Sequence, residues 1–307
     1  MLRRFLLYLS TAGWARTLTT KFPLARRVAE RFVAGETLEK AISASQALNQ
    51  KGLWVSLDYL GESVEKAEDT KEVVDTYSKL IQQIHAHQLQ ANVSLKLTHM
   101  GLDISEELCQ TNLRSILSVA KPYNIAVTLD MESSDYTDRT LRIFRTMKED
   151  YEFDNVTIVI QAYLYRSKED MRSLASEGAT VRLCKGAYLE PESVAFLAKA
   201  DVDKQYVEIM DEFLNAPLPA YLQIASHDEQ IITKAEALVK EKQLTPDRYE
   251  FQMLYGIRSA RQESLVAAGH HTRVYVPFGE AWYPYFMRRL AERPANLWFF
   301  AKSLFSR

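Results

Sequence analysis

The sequence predicts an α/β chain, a (β/α)8 barrel of the TIM type with extra helices at its N-terminus. Two observations carry this. From about residue 50 onward, eight short apolar runs alternate with helical segments, and that alternation argues for parallel βαβ units. The 307 residues also suit eight such units, since a barrel alone needs about 250. A doubly wound open sheet is the alternative that the same alternation allows.

The elements follow in order. Residues 1–50 carry helical periodicity and little strand character. Their start, Met1-Leu2-Arg3-Arg4 before Phe5-Leu6-Leu7-Tyr8-Leu9, imitates a signal peptide. That apolar run is shorter than the roughly 7–15 residues of a leader, and Arg16 follows soon after. It reads as the first of several N-terminal helices. The candidate strands are then Trp54–Tyr59, Asn92–Leu97, Ile125–Met131, Val156–Gln161, Thr180–Cys184, Ala220–Ala225, Tyr249–Leu254 and Thr272–Val276. Between them lie segments such as Thr70–Leu89 and Glu229–Lys242, rich in Glu, Lys, Ala, Leu and Gln. The long gap after the fifth strand leaves room in Ala187–Leu197 for an extra short helix, which Pro191 would open. No linker or low-complexity segment divides the chain. It reads as one domain, with 1–50 as a helical arm and 51–307 as the barrel.

Composition excludes several classes. Hydrophobic residues make up 47% and charged residues 25%, values of a soluble globular chain. A net charge of −2 leaves no electrostatic footprint for nucleic acid. Cys109 and Cys184 form neither a disulfide framework nor a CxxC, which fits a reducing, cytoplasmic setting. No stretch is long and apolar enough to span a membrane. No two glycines are separated by a single residue, so GxGxxG cannot occur, and there is no Walker A sequence. A dinucleotide must therefore be held without a Rossmann loop. HExxH is absent and His270-His271 are adjacent, so no catalytic metal is expected. Ser-His-Asp chemistry lacks its GxSxG elbow.

In a barrel the C-terminal strand ends face the active site. Those ends carry Asp58, Lys96, Asp130, Gln161, Arg182 with Lys185, His227, Gln252 with Leu254, and Tyr275. Each alone reads as an ordinary strand-end group, and Asp58 reads as structural, but their convergence points to a site. Two motifs are sharper. In Val181-Arg182-Leu183-Cys184-Lys185-Gly186-Ala187-Tyr188, Arg and Lys stand at a strand exit, and Gly186 lets backbone approach a ligand. Near the C-terminus, Tyr285, Arg288, Arg289 and Glu292 share a helix face about 100° wide at about 3.6 residues per turn. Glu292 stands i+4 from Arg288 and i+3 from Arg289, so it can steady both. Paired guanidiniums suit a carboxylate or phosphate. The bland reading of that face is a set of solvated salt bridges worth a few tenths of a kcal/mol.

Together these pieces resemble proline dehydrogenase, the flavin-dependent (β/α)8-barrel family of proline catabolism. The matching segments are Ser94–Leu97, Thr128–Glu132, Val159–Tyr163, Arg182–Tyr188, Ser226-His227, Phe251–Leu254 and Tyr275 through Glu292, in order over roughly residues 50 to 300. The lead-in resembles the single-function bacterial form. The resemblance implies oxidation of L-proline to Δ1-pyrroline-5-carboxylate, with hydride passing from the ring carbon beside nitrogen to N5 of a non-covalent FAD and electrons then to a quinone. It implies catalytic roles for Asp130, which would position Tyr188 and nearby cations, and for Arg182, near flavin N5. Arg288 and Arg289, with Lys96, would bind the substrate carboxylate, and Glu292 would orient the arginines. Tyr275, Tyr285, Tyr188, Leu183 and Leu254 would wall the pyrrolidine ring. Met131, Val159, Gln161, Arg182, Lys185, Gly186, Ala187, Ser226 and His227 would line the FAD site. Two departures stand out: Leu189 where many relatives carry Trp, and Ser226 where Thr is common.

Two other classes remain open on the residues alone. One is a Schiff-base barrel aldolase using Lys96 or Lys185 as the amine nucleophile. The other is a barrel that binds an amino acid or flavin without turnover. Quinone use implies contact with the inner face of the cell membrane. The apolar tail Leu297–Phe305 and the basic N-terminus are the candidate contacts. A separate pyrroline-5-carboxylate dehydrogenase would take the product.

Overall fold

A computed structural model describes residues 31–61 and 63–292. The expected helices before residue 31 and the apolar tail Leu297–Phe305 lie outside these residues. Helix α1 (Leu38–Asn49) leads into strand β1 (Trp54–Tyr59), and seven further helix–strand pairs follow. They are α2 (Ala67–Ala86), β2 (Ala91–Lys96), α3 (Glu106–Ala120), β3 (Val127–Asp130), α4 (Thr137–Arg145), β4 (Val156–Gln161), α5 (Ser167–Ser176), β5 (Thr180–Cys184), α6 (Lys199–Phe213), β6 (Tyr221–Ala225), α7 (Glu229–Glu241), β7 (Tyr249–Leu254), α8 (Ser259–Ala267) and β8 (Thr272–Phe278). Helix α9 (Trp282–Glu292) closes the described chain. All strand pairs are parallel, and β8 returns to β1 with Trp54 opposite Arg273 through Tyr59 opposite Phe278. That closure rules out the open sheet.

The strands alternate by face. In β1, Val55 and Leu57 pack outward against the helices, while Ser56 and Asp58 point into the barrel. The inward row is polar on most strands: Ser56 meets Ser94 at 3.0 Å, and Thr128 meets Thr157 at 2.8 Å. The helices answer with apolar stripes. In α2, Val73, Tyr77, Leu80, Ile81 and Ile84 recur at three- and four-residue steps and are all buried, while Glu68 and Asp69 occupy the first turn, where the helix dipole favours anions. Caps set two starts: Ser105 Oγ accepts from Leu108 N for α3, and Asp228 accepts from Gln230 N for α7.

The N-terminal end of the barrel is plugged by a buried ion pair. Arg273 donates Nε to Glu250 Oε1 at 2.7 Å and Nη2 to Oε2 at 3.0 Å, and its guanidinium lies 5.1 Å from the Trp54 ring. The opposite end is left for chemistry.

Four strands differ in their boundaries from the sequence expectation by one or two residues. Strand β2 stops at Lys96 because Leu97 begins a turn closed by Met100 and Leu102 amides. Ile125 is spent closing the loop after α3, so β3 starts at Val127. Strand β6 starts at Tyr221, one residue later than expected, and β8 runs on to Phe278 because β1 pairs with it throughout. The extra helix expected in Ala187–Leu197 does not form. Pro191 opens a single turn, accepting from Val194 and Ala195 amides. The chain is then drawn out as an extended bridge beside Leu164, with Phe196 N bonded to Tyr163 O. Among the described residues no helix is long and apolar enough to cross a membrane.

Candidate active site

Five strands deliver one bonded cluster to the C-terminal mouth. Arg182 enters from β5, donates Nη1 to Asp130 Oδ1 at 2.8 Å, and places Nη2 at 2.9 Å from Ser94 Oγ and 3.2 Å from Ser56 Oγ. Tyr275 from β8 brings its hydroxyl to 2.7 Å from Asp58 Oδ2 and 2.7 Å from Asp130 Oδ2. The guanidinium carbon of Arg182 lies 5.3 Å from the Tyr275 ring. Lys96 stands between the same two carboxylates, 3.5 Å from Asp58 Oδ2 and 3.7 Å from Asp130 Oδ2. The alternation of the strands is what aims all five side chains inward.

The cluster perturbs its members. Burial disfavours the Lys96 ammonium, but Asp58 and Asp130 outweigh it and hold its pKa above the ordinary value. Burial, then Asp130 and Asp58, push the Tyr275 phenol well above the usual tyrosine range, so it stays protonated. Tyr188 is pushed up to about 12, by burial first, while the positive charges of Lys96 and Arg288 act against that rise. Burial raises Glu132, whose two oxygens accept from Thr98 N at 3.1 Å and Thr98 Oγ1 at 2.8 Å.

Helix α9 lies beside this mouth. Trp282, Tyr283, Phe286 and Met287 bury against Phe32, Val33 and Leu60, which anchors the helix and leaves Arg288 and Arg289 half-buried. Arg289 stacks 5.2 Å from the Tyr285 ring, and the charge of Arg288 reaches both Lys96 and Tyr188. The helical backbone continues to Glu292, whose side chain lies outside the described set.

The remaining residues form the rim. Gln161 Nε2 donates to Glu132 O at 2.7 Å and its Oε1 accepts from Ala187 N at 3.2 Å, tying β3, β4 and the loop after β5 together. Val159 is the register partner of Arg182 and shares its inward face, and Met131 is buried at the end of β3. Gly186 has φ +117°, and a Cβ there would stand 2.4 Å from the Tyr163 ring. His227 Nε2 accepts from Leu254 N at 2.9 Å, which leaves Nδ1 as the protonated nitrogen of a neutral ring. Ser226 Oγ accepts from Asp228 N at 3.1 Å.

Some expectations change. Asp58, read as structural, is 1% exposed and bonded within the cluster. Leu183 alternates with Arg182, points outward into the hydrophobic core and cannot wall a ligand inside the barrel. Gln252 turns down the barrel, its Nε2 donating to Glu250 at 2.5 Å, and so leaves the mouth. Lys185 binds Asp203 and, at 2.8 Å, Asp228 Oδ2, in a rim network with Lys199. Asp203 and Asp228 were not legible as partners, although Asp228 carries the signature of a helix cap before Glu229. Tyr77, which donates to Ser94 O at 2.8 Å from α2, shows in the sequence only as part of that helix's buried stripe. Leu189 is 54% exposed. Among the described residues no group of three or more His, Cys, Asp or Glu is arranged to hold a metal.

Comparison with known proteins decides the family. The proline dehydrogenase family model matches residues 41–302. The chain belongs to the proline dehydrogenase family. It is 46% identical over 307 residues to proline dehydrogenase 1 of Bacillus subtilis (strain 168), covering 99% of both chains. It is 42% identical over 280 residues to proline dehydrogenase of Deinococcus radiodurans, covering 90% of each. Among solved structures, proline utilization A of Bdellovibrio bacteriovorus, inactivated by N-propargylglycine, aligns with a TM-score of 0.81 at 25% identity. That match covers 91% of this chain and 34% of the other, so the chain spans about a third of that longer protein. Membership in proline dehydrogenase makes the chain an oxidoreductase. It also answers the aldolase reading, to which the geometry is hostile. A Schiff-base lysine needs a depressed pKa, whereas the pKa of Lys96 is held above its ordinary value.

Proposed function

We propose that this mouth binds L-proline and non-covalent FAD and oxidises the amino acid to Δ1-pyrroline-5-carboxylate, the electrons passing on to a quinone. The observation that carries the reading is the bonded set Arg182–Asp130–Tyr275–Asp58 with Lys96, beside the arginine pair of α9. Catalysis here is largely positioning. Arg288, Arg289 and Lys96 receive the substrate carboxylate, which fixes one end of the ring. Tyr275, Tyr285, Tyr188 and Leu254 wall the other end. Asp130 holds Arg182 and Tyr275 in place, and Glu292 would orient the arginine pair.

FAD would supply the hydride acceptor. The residues present fit it. Arg182 Nε is buried without a hydrogen-bond partner, and Gln223 Oε1, on its register neighbour, is likewise unpartnered. An unspent guanidinium donor at the mouth would suit the electron-rich edge of a flavin and would stabilise negative charge there. Met131, Val159, Gln161, Lys185, Gly186, Ala187, Ser226 and His227 would complete that lining. Contact with the quinone's membrane would be peripheral, from the cytoplasmic side, and the product would pass to a pyrroline-5-carboxylate dehydrogenase.

The test is the visible spectrum of purified protein before and after anaerobic L-proline, followed by Arg289→Met kinetics. Flavin bands that bleach with proline support the reading, and bands that persist defeat the substrate assignment. If KM and kcat/KM for proline stay near wild type in Arg289→Met, the clamp assignment is wrong.

A further inference from the structure

The hydrogen-bond count around Tyr275 does not close with the protons of its phenol alone. Its oxygen lies 2.7 Å from Asp58 Oδ2 and 2.7 Å from Asp130 Oδ2, both ordinary O–H···O distances. A phenol has one proton to donate. With both carboxyls ionised, one contact would press the phenol oxygen on a carboxylate with no proton between them.

The neighbours do not fill that gap. Lys96 Nζ faces both oxygens from β2, at 3.5 and 3.7 Å, too far for a short bond to either. Tyr77 reaches Asp58 Oδ1 from α2 at 3.4 Å but gives its proton at 2.8 Å to Ser94 O. The two carboxyls also differ. Asp130 takes the Arg182 guanidinium at 2.8 Å. Asp58 has no guanidinium partner among the described residues and is 1% exposed.

We propose that the cluster carries one proton beyond those of its phenol and ammonium, that Asp58 holds it, and that it sets the charge met by the substrate carboxylate. This rests on the reading of the mouth as an amino-acid carboxylate site. With the proton in place, Lys96 and Arg182 face one anion, Asp130. Without it they face two, and the cluster is neutral. An anionic ligand therefore binds the protonated cluster more tightly, and its binding takes up a proton once the free cluster has begun to lose it.

The probe is tetrahydrofuran-2-carboxylate, the ring acid in which oxygen replaces the amine. Its own charge is constant between about pH 6 and 9.5. In wild type its inhibition constant against proline should rise with pH by at least about tenfold over that range, approaching tenfold per pH unit. In Asp58→Asn, whose amide is permanently neutral and still donates to Tyr275, the constant should stay near the wild-type low-pH value. Any histidine contribution, for example from His227, survives in Asp58→Asn and is thereby separated. Wild-type protein alone provides a second readout: proton uptake from weak buffer, followed with an indicator dye, as the ring acid binds. A pH-independent wild-type constant without uptake overturns the inference, as does an Asn variant that follows the wild-type profile. A ring acid that binds at no pH overturns the carboxylate-site reading together with it.

Discussion

Gly186→Ala probes the mouth directly. At φ +117° an alanine costs about 1–3 kcal/mol in backbone strain. Its Cβ would also fall 2.4–2.6 Å from three carbons of the Tyr163 ring. That ring cannot slide freely, because its hydroxyl donates to Glu190 Oε1 at 3.2 Å, and Glu190 accepts Ser134 N at 2.8 Å and Ser134 Oγ at 2.5 Å. Forced repacking of this kind adds about 1–3 kcal/mol. The sum, about 2–6 kcal/mol, corresponds to a Tm fall of about 3–10 °C for a chain of 307 residues, at about 1.6 °C per kcal/mol. Gly269→Ala is the control: its φ is +87°, but nothing lies within 4 Å of the added Cβ, so it carries only the strain. Calorimetry of the two variants measures the steric difference. Flavin retained after gel filtration should also drop in Gly186→Ala and not in Gly269→Ala, since the disturbed loops follow β3, β4 and β5. If Gly186→Ala is no worse than its control on both measures, the close packing of loop on ring is not what the glycine serves.

Other outcomes are equally concrete. Glu250→Gln breaks the buried pair with Arg273 and should cost about 3–5 kcal/mol, read as a lower Tm. Burial pushes Glu250 up, but Arg273 and the Gln252 amide pull it below its ordinary 4.5. A depressed folded value means its stabilisation is full above the unfolded value and lost as pH falls below it. The Gln variant's Tm should accordingly fall less steeply than wild type below about pH 4.3, and parallel acid profiles would refute this. Borohydride with a keto acid should trap no adduct at Lys96, and mass-spectrometric detection of one would restore the aldolase reading. Tyr275, held rigidly by Asp58 and Asp130, leaves little room for a 4-hydroxyl group, so kcat/KM should favour proline over 4-hydroxyproline. Comparable values would sink that assignment.

The sequence by itself determined the architecture and the polar groups that stand at the strand ends. Eight β runs at barrel spacing and amphipathic helices such as α2 are local patterns, because side-chain periodicity reports which face will be buried. The same periodicity placed Tyr285, Arg288 and Arg289 on one helix and Arg182 at a strand exit. Only the tertiary structure decided which of these groups meet. Asp58 and Tyr275 lie 217 residues apart, and closing β8 onto β1 is what brings them within 2.7 Å. Asp58 reads as structural from the sequence because nothing local distinguishes a strand-end carboxylate that faces solvent from one that faces a phenol. Leu183 was misjudged for a related reason: motif membership says nothing about which face a residue takes, whereas its neighbour Arg182, bonded across the barrel to Ser56 and Ser94, fixes it outward. The extra helix after β5 failed because a bridge to Leu164 and the Phe196–Tyr163 bond outcompete a short helix that has no apolar stripe to bury. Local sequence sets periodicity and caps, while long-range closure sets partners and, with them, the charge of the pocket.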